Sequence, residues 1–286
     1  MMKPFAVAAV ALLLSGCAAA PTPADATIRI VASTNVYGDI AEAIGGDLVT
    51  VTSLIASSAQ DPHSFEASAR NQLDLSKADL VIDNGGGYDS FMDTLLDASG
   101  SAATRLTASD VVSLPDGANE HLWYSLSAMD AVAQAIASAL AESDAANSEL
   151  YRANYDAFAA ELATLESAAA AISGAGLGVA ITEPVPLYLL EAAGFVNRSP
   201  EAFTQAIEEG SDIPPSALEE ALALFDNGAV ALLAYNSQTA SPETERVRSA
   251  AEAAGIPVVE FTETLPDGQD YVSWMSANID SLAAAL

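Results

Sequence analysis

Apolar and polar positions along the chain fall into short apolar runs separated by amphipathic segments. Residues 28–33, Ile-Arg-Ile-Val-Ala-Ser, read as a buried strand. Residues 36–44 follow as a helix closed by Gly45-Gly46. Residues 48–55 alternate well enough for a second strand. A helix is predicted over 67–77 and a short apolar strand over 79–83. Gly85-Gly86-Gly87 then leads into a helix from 88 to about 97. The glycine triplet lacks the spacing and lysine of a phosphate-binding loop and reads as a turn. Residues 111–114 look like one more strand. Strand followed by helix, three times over, is the signature of a parallel sheet.

The rhythm then changes. Residues 127–142 predict a helix with Ser127 at its N-cap, and 148–172 a longer one. On the longer helix, Tyr151, Tyr155, Phe158, Leu162 and Leu165 fall three and four apart and give one apolar face. About 25 helical residues span about 37 Å, which suits a rigid connector between two lobes. Strand–helix alternation resumes after Gly174-Ala175-Gly176. Strands are predicted at 177–182, 229–235 and 257–261. Helices are predicted at 186–193, from Pro214-Pro215 to 225, at 241–254 and at 271–286. Residues 195–212 are polar and have no clear period. The expected fold class is α/β: two lobes, each a parallel sheet flanked by helices, joined by one long rigid helix. The expected division is a lobe over 27–145, a connecting helix over 146–173 and a second lobe over 174–286.

Composition changes the picture in two ways. Nine Lys+Arg face 39 Asp+Glu, a formal net charge of −30. Such a surface repels nucleic acid and draws cations. The single cysteine, Cys17, can form neither an internal disulfide nor a thiolate cluster. It follows Lys3, an apolar run over 5–14 and Leu14-Ser15-Gly16. That run is too short to span a bilayer and has the form of a signal peptide over 1–17. Leu-Ser-Gly-Cys resembles the bacterial lipobox, which implies export and lipid anchoring at Cys17. Residues 18–26, rich in Ala, Pro and Thr, read as a tether.

In open parallel sheets, ligands bind beyond the carboxyl ends of the strands. His63, in the stiff loop Asp61-Pro62-His63, follows the second strand. His121, in Asn119-Glu120-His121-Leu122-Trp123, follows the strand expected near Val111. Glu183 follows the strand at 177–182, and Asn236 and Gln238 follow the one at 229–235. Singly, His63 fits a solvated loop residue, His121 a packed one and Glu183 a helix-start acid. Jointly, two imidazoles and a carboxylate at strand ends in both halves suit a clamp on a small ion.

Asp61-Pro62-His63 with Glu66, Asn119-Glu120-His121-Leu122-Trp123 and Thr182-Glu183-Pro184 resemble the metal-binding motifs of the cluster A-I (zinc/manganese) solute-binding proteins of ABC importers. The resemblance runs from Ile28 to the last helix and includes the lipobox and the long helix. It implies that His63, His121 and Glu183 are metal ligands. It places the last ligand, usually an Asp, in the loop after the strand at 229–235. Here that loop has no acid before Glu243, so the position falls to Gln238, with Asn236 or a water as substitutes. Imidazole plus carboxylate suits Zn²⁺ or Mn²⁺ rather than soft Cu(I). Two His, one Glu and a neutral oxygen complete a four-coordinate Zn²⁺ site. Asp61, Glu66 and Glu120 are the expected acceptors for ring N–H groups.

The implied function is a monomeric lipoprotein held at the outer face of the cell membrane. It captures zinc, or manganese, as transported ligand and passes it to an ABC permease. It is not an enzyme. The alternatives are an exported zinc-dependent hydrolase, against which stands the lack of a His-Glu-x-x-His helix, and a surface adhesin with an incidental metal site.

Overall fold

The computed structural model describes residues 27–57, 65–226 and 228–286. The signal segment with Cys17, the tether, and Asp61 and His63 lie outside the described residues. The first lobe contains β1 (Ile28–Thr34), α1 (Asn35–Gly45), β2 (Val49–Ile55), α2 (Ala69–Leu75), β3 (Leu80–Asp83), α3 (Phe91–Ser99), β4 (Thr104–Thr107), α4 (Ala108–Val111) and α5 (Leu126–Ser143). The connecting helix is α6 (Ser148–Ala170). The second lobe contains β5 (Gly178–Ile181), α7 (Leu187–Ala192), β6 (Val196–Asn197), α8 (Glu201–Glu208), α9 (Pro215–Asp226), β7 (Leu232–Asn236), α10 (Pro242–Ala253), β8 (Val258–Phe261) and α11 (Tyr271–Ala284).

Each lobe is a four-stranded sheet with the same order, β2-β1-β3-β4 and β6-β5-β7-β8. All pairings are parallel; Ile30 lies opposite Val51 on one side and Leu80 on the other, and Val179 lies opposite Leu232. The order reverses between β1 and β3 in the first sheet and between β5 and β7 in the second. Those two crevices are where an open sheet leaves room for a ligand.

Side-chain alternation shows what the sheets pack against. Ile30, Ala32, Leu80 and Ile82 point to one core, and so do Val179, Ile181, Leu232 and Ala234 of the other sheet. The connecting helix contributes Tyr151, Phe158, Leu162 and Leu165 to that same core. The opposite faces have separate cores. Val31, Val81 and Met92 form one in the first lobe. Ala180, Leu233 and Tyr235 pack on Phe203 and Phe225 in the second. The inner faces of both sheets and the long helix thus share a single apolar interior. At 23 residues, α6 spans about 35 Å.

Three expectations about elements are corrected. The fourth strand of the first sheet is β4, not residues 111–114. Thr-Arg-Leu-Thr is an edge strand with only Leu106 buried, so it carries little apolar signal. Val111 ends the short α4, and Ser113 turns the chain with a left-handed φ of 53°. His121 therefore sits in a long loop rather than directly after a strand. The N-cap of α5 is Ser125, whose hydroxyl accepts from the Ala128 N–H, not Ser127. The unassigned stretch 195–212 contains β6, only two residues long, and α8.

Candidate metal centre

The second lobe places two carboxylates at its crevice. Glu183 lies two residues beyond β5 and is buried. Asn236, the last residue of β7, is buried beside it. Its side-chain NH₂ donates to Glu183 Oε2 at 2.5 Å and to Glu263 Oε1 at 2.8 Å. Glu263 comes from the loop after β8 and is completely buried. The Thr239 hydroxyl also donates to Glu183 Oε2. From the first lobe, the Tyr88 hydroxyl donates to Glu263 Oε2 at 3.0 Å. Burial first, then Glu263 itself, pushes the Tyr88 hydroxyl well above its usual range and keeps it a donor.

Neither amide expected to supply an oxygen presents it to this cluster. Asn236 Oδ1 accepts the Gln238 N–H at 3.0 Å, so its donor end faces the carboxylates. Gln238 Oε1 accepts the backbone N–H groups of Glu263 and Thr264 at 2.5 and 3.2 Å, and Gln238 Nε2 donates to Thr264 Oγ1 at 3.1 Å. Gln238 braces the loop that carries Glu263.

His121 approaches from the first lobe. It is completely buried and immediately precedes a short 3-10 turn, Leu122–Tyr124. Its ring meets Tyr88 edge-on at 5.8 Å and Trp123 at 5.2 Å. Tyr88 therefore contacts both the imidazole and the Glu263 carboxylate. His121 Nδ1 lies 2.7 Å from Asn119 Oδ1 and 3.8 Å from Glu208 Oε1. Glu120 lines a cleft of about 670 Å³ shared with Pro184, Glu201, Glu208 and Glu209. Glu66 is exposed.

The loop that carries His121 is held from behind. Asn84, just beyond β3, donates through Nδ2 to the Glu120 carbonyl at 2.9 Å, and Tyr37 donates to its Oδ1. Asp89 fixes that corner by accepting the N–H groups of Asn84 and Gly85 at 2.7 and 2.8 Å. Burial, then the neighbouring Asp83, push the Asp89 carboxyl up to about 6. Gly85 has a φ of 71°, and a Cβ there would lie 2.3 Å from Ser109 Oγ, so this corner requires glycine.

The structure thus gathers Glu183, Asn236 and Gln238 at one crevice and brings the His121 loop against it. His63 lies outside the described residues. Among the described residues, no three His, Cys, Asp or Glu side chains form a group able to hold an ion alone. Glu263 is the carboxylate at this crevice that the sequence analysis does not single out. In the structure Glu183 and Glu263 occupy like positions, each two residues past the end of a strand, β5 and β8.

The family model described as ZnuA, zinc-uptake complex component A, periplasmic, matches residues 30–285. The chain belongs to this family. The manganese ABC transporter substrate-binding lipoprotein scaA of Streptococcus gordonii is 25% identical over 301 residues, covering 96% of this chain and 94% of that one. The iron ABC transporter substrate-binding lipoprotein MtsA of Streptococcus pyogenes serotype M1 is 26% identical, covering 91% and 89%. The manganese-binding lipoprotein MntA of Halalkalibacterium halodurans is 27% identical over 169 residues, 57% of this chain and 56% of that one. Among solved structures, the periplasmic zinc-binding protein TroA of Treponema pallidum superposes with a TM-score of 0.76 at 19% identity, covering 91% of this chain and 99% of that one. This likeness establishes the same two-lobed fold.

Proposed function

We propose that the protein is an extracytoplasmic solute-binding lipoprotein that captures a divalent transition metal between its lobes and delivers it to an ABC importer. The observation that carries the reading is the pair of buried carboxylates, Glu183 and Glu263, facing the buried imidazole loop of the other lobe. Two carboxylates taken out of water and set side by side repel each other. A divalent cation cancels both charges, and neutral imidazoles add affinity without adding charge. The proposed ligands are His63, His121, Glu183 and Glu263. In this reading Asn236 donates to both carboxylates and Gln238, first expected at the fourth position, braces the loop that carries Glu263.

A second carboxylate in place of a neutral oxygen makes the site richer in oxygen than a two-histidine, one-glutamate set. Monodentate carboxylates give four-coordinate Zn²⁺; bidentate ones give the six donors that suit Mn²⁺ or Fe²⁺. The named relatives divide the same way, two being named for manganese and one for iron, and the structural neighbour for zinc. We propose zinc or manganese as cargo, with zinc the tighter binder by the Irving–Williams order. The lipid anchor at Cys17, the monomeric state, the permease partner and binding without turnover belong to the same proposal. The anchor, the permease partner and binding without turnover are supported by family membership and by relatives named as lipoproteins of ABC transporters.

Calorimetric titration of the metal-stripped protein with Zn²⁺ and Mn²⁺ tests the reading. One ion per chain is expected. A His63→Ala/His121→Ala double variant that binds zinc as the wild type does would overturn it.

A further inference from the structure

We propose that Asn119 is the positioning residue for His121, and that it does this work from both lobes at once. The metal role of His121 rests on the function proposed above; the geometry around Asn119 does not. Asn119 Nδ2 donates to the Pro184 carbonyl at 2.9 Å, across the lobe boundary and next in the chain to Glu183. Its Oδ1 accepts the His121 backbone N–H at 3.1 Å and faces His121 Nδ1 at 2.7 Å. Its own carbonyl accepts the Tyr188 hydroxyl of α7, also in the second lobe, at 2.6 Å.

These partners fix the amide without choice. A carbonyl oxygen only accepts, so the NH₂ must face Pro184. A backbone N–H only donates, so Oδ1 must face His121. The ring nitrogen that also faces Oδ1 must then carry the proton. In the neutral ring this puts hydrogen on Nδ1 and the lone pair on Nε2. A neutral imidazole in water prefers the opposite arrangement, with its proton on Nε2. The Glu208 carboxylate of α8, 3.8 Å from Nδ1, adds negative charge behind the protonated nitrogen. Asn119 thus sets the tautomer with one end of its amide and ties the imidazole loop to the Glu183 segment with the other. The metal-ready tautomer and the contact between lobes are secured by the same side chain.

The chain has only two histidines, so ¹⁵N-histidine spectra of the metal-free full protein resolve both rings directly. Wild type is expected to show His121 protonated at Nδ1. Asn119→Ala removes acceptor and donor together. His121 should shift toward the Nε2–H form and zinc affinity should fall about 10- to 100-fold, the usual cost of losing a partner behind a ligand. Asn119→Asp keeps the acceptor and loses the donor, and serves if the alanine variant does not fold. The Nδ1–H form should persist while zinc dissociates faster. Tyr188→Phe should do the same. A metal-free wild type with His121 in the Nε2–H form would overturn the proposal. So would an alanine variant with unchanged tautomer and zinc affinity. A wild type with the Nδ1–H form that binds no zinc would sink the metal-capture reading and leave the Asn119 assignment standing.

Discussion

At the scale of single residues, the arrangement turns on Asn236, whose one NH₂ group serves two buried glutamates. That bond network is what makes a metal-free crevice tolerable, because each carboxylate keeps a donor when no cation is present. Asn236→Asp would replace the shared donor with a third acid. Uncompensated buried charge costs about 3–5 kcal/mol, which for a chain of this size lowers Tm by about 10 °C. Calorimetric scans should show that drop without metal and a wider gap between stripped and zinc-loaded protein than in the wild type. Glu263 and Gln238 separate by magnitude. Glu263→Ala should weaken zinc binding by more than about 100-fold, whereas Gln238→Ala, which only loosens the loop, should cost about 10-fold. Reversed magnitudes in a side-by-side titration would return the ligand role to Gln238. Glu183 was legible in the sequence because its strand is a clean apolar run. Glu263 was not. The family resemblance points to an acid after the strand at 229–235, and Thr-Glu-Thr after β8 carries no histidine or aromatic to mark it.

At the scale of elements, nearly every strand and helix with a strong apolar period was legible. The strands that failed lie at sheet edges: β4 buries one residue and β6 consists of two, so neither needs a pattern; the helix α8 was also missed, being two turns long in a polar stretch. Edge strands are specified by pairing with a neighbour already in place, and that information is not local. A pH effect also belongs to this scale. Asp39 of α1 accepts the N–H of Tyr271 at 2.8 Å, at the start of α11, where Asp270 is already the N-cap. Burial pushes the Asp39 carboxyl from 3.8 up to about 6, reinforced by Asp270 and Glu42. A carboxyl raised in the folded state stabilises fully below its unfolded value, and that stability is lost as pH rises through about 6. Asp89 acts in the same direction. The metal-free protein should therefore melt higher at about pH 5 than at about pH 7.5. Asp39→Asn should raise Tm at the higher pH and flatten the difference; a variant whose profile still matches the wild type would refute this origin.

At the scale of the whole molecule, the net charge of −30 acts on cations before they reach the crevice. Zinc association should slow markedly between about 0.01 and 1 M salt, as the screening length falls from about 30 to 3 Å. Stopped-flow traces would check it, with dissociation changing much less. Affinity should fall with acid, because the imidazoles must be neutral to bind. Acidification is then expected to firm the empty protein while loosening its grip on cargo. The two-lobed plan and the long helix were readable from alternation and length. The common interior was not, because periodicity says which face is apolar and never which partner covers it. That interior has a mechanical corollary. Swinging the halves apart would wet Tyr151, Phe158, Ile82 and Ile181 together, so wide opening carries the cost of exposing all four. Peeling the 119–121 segment off Pro184 and Tyr188 at the rim would, by contrast, break only a few hydrogen bonds and leave the trunk behind it covered.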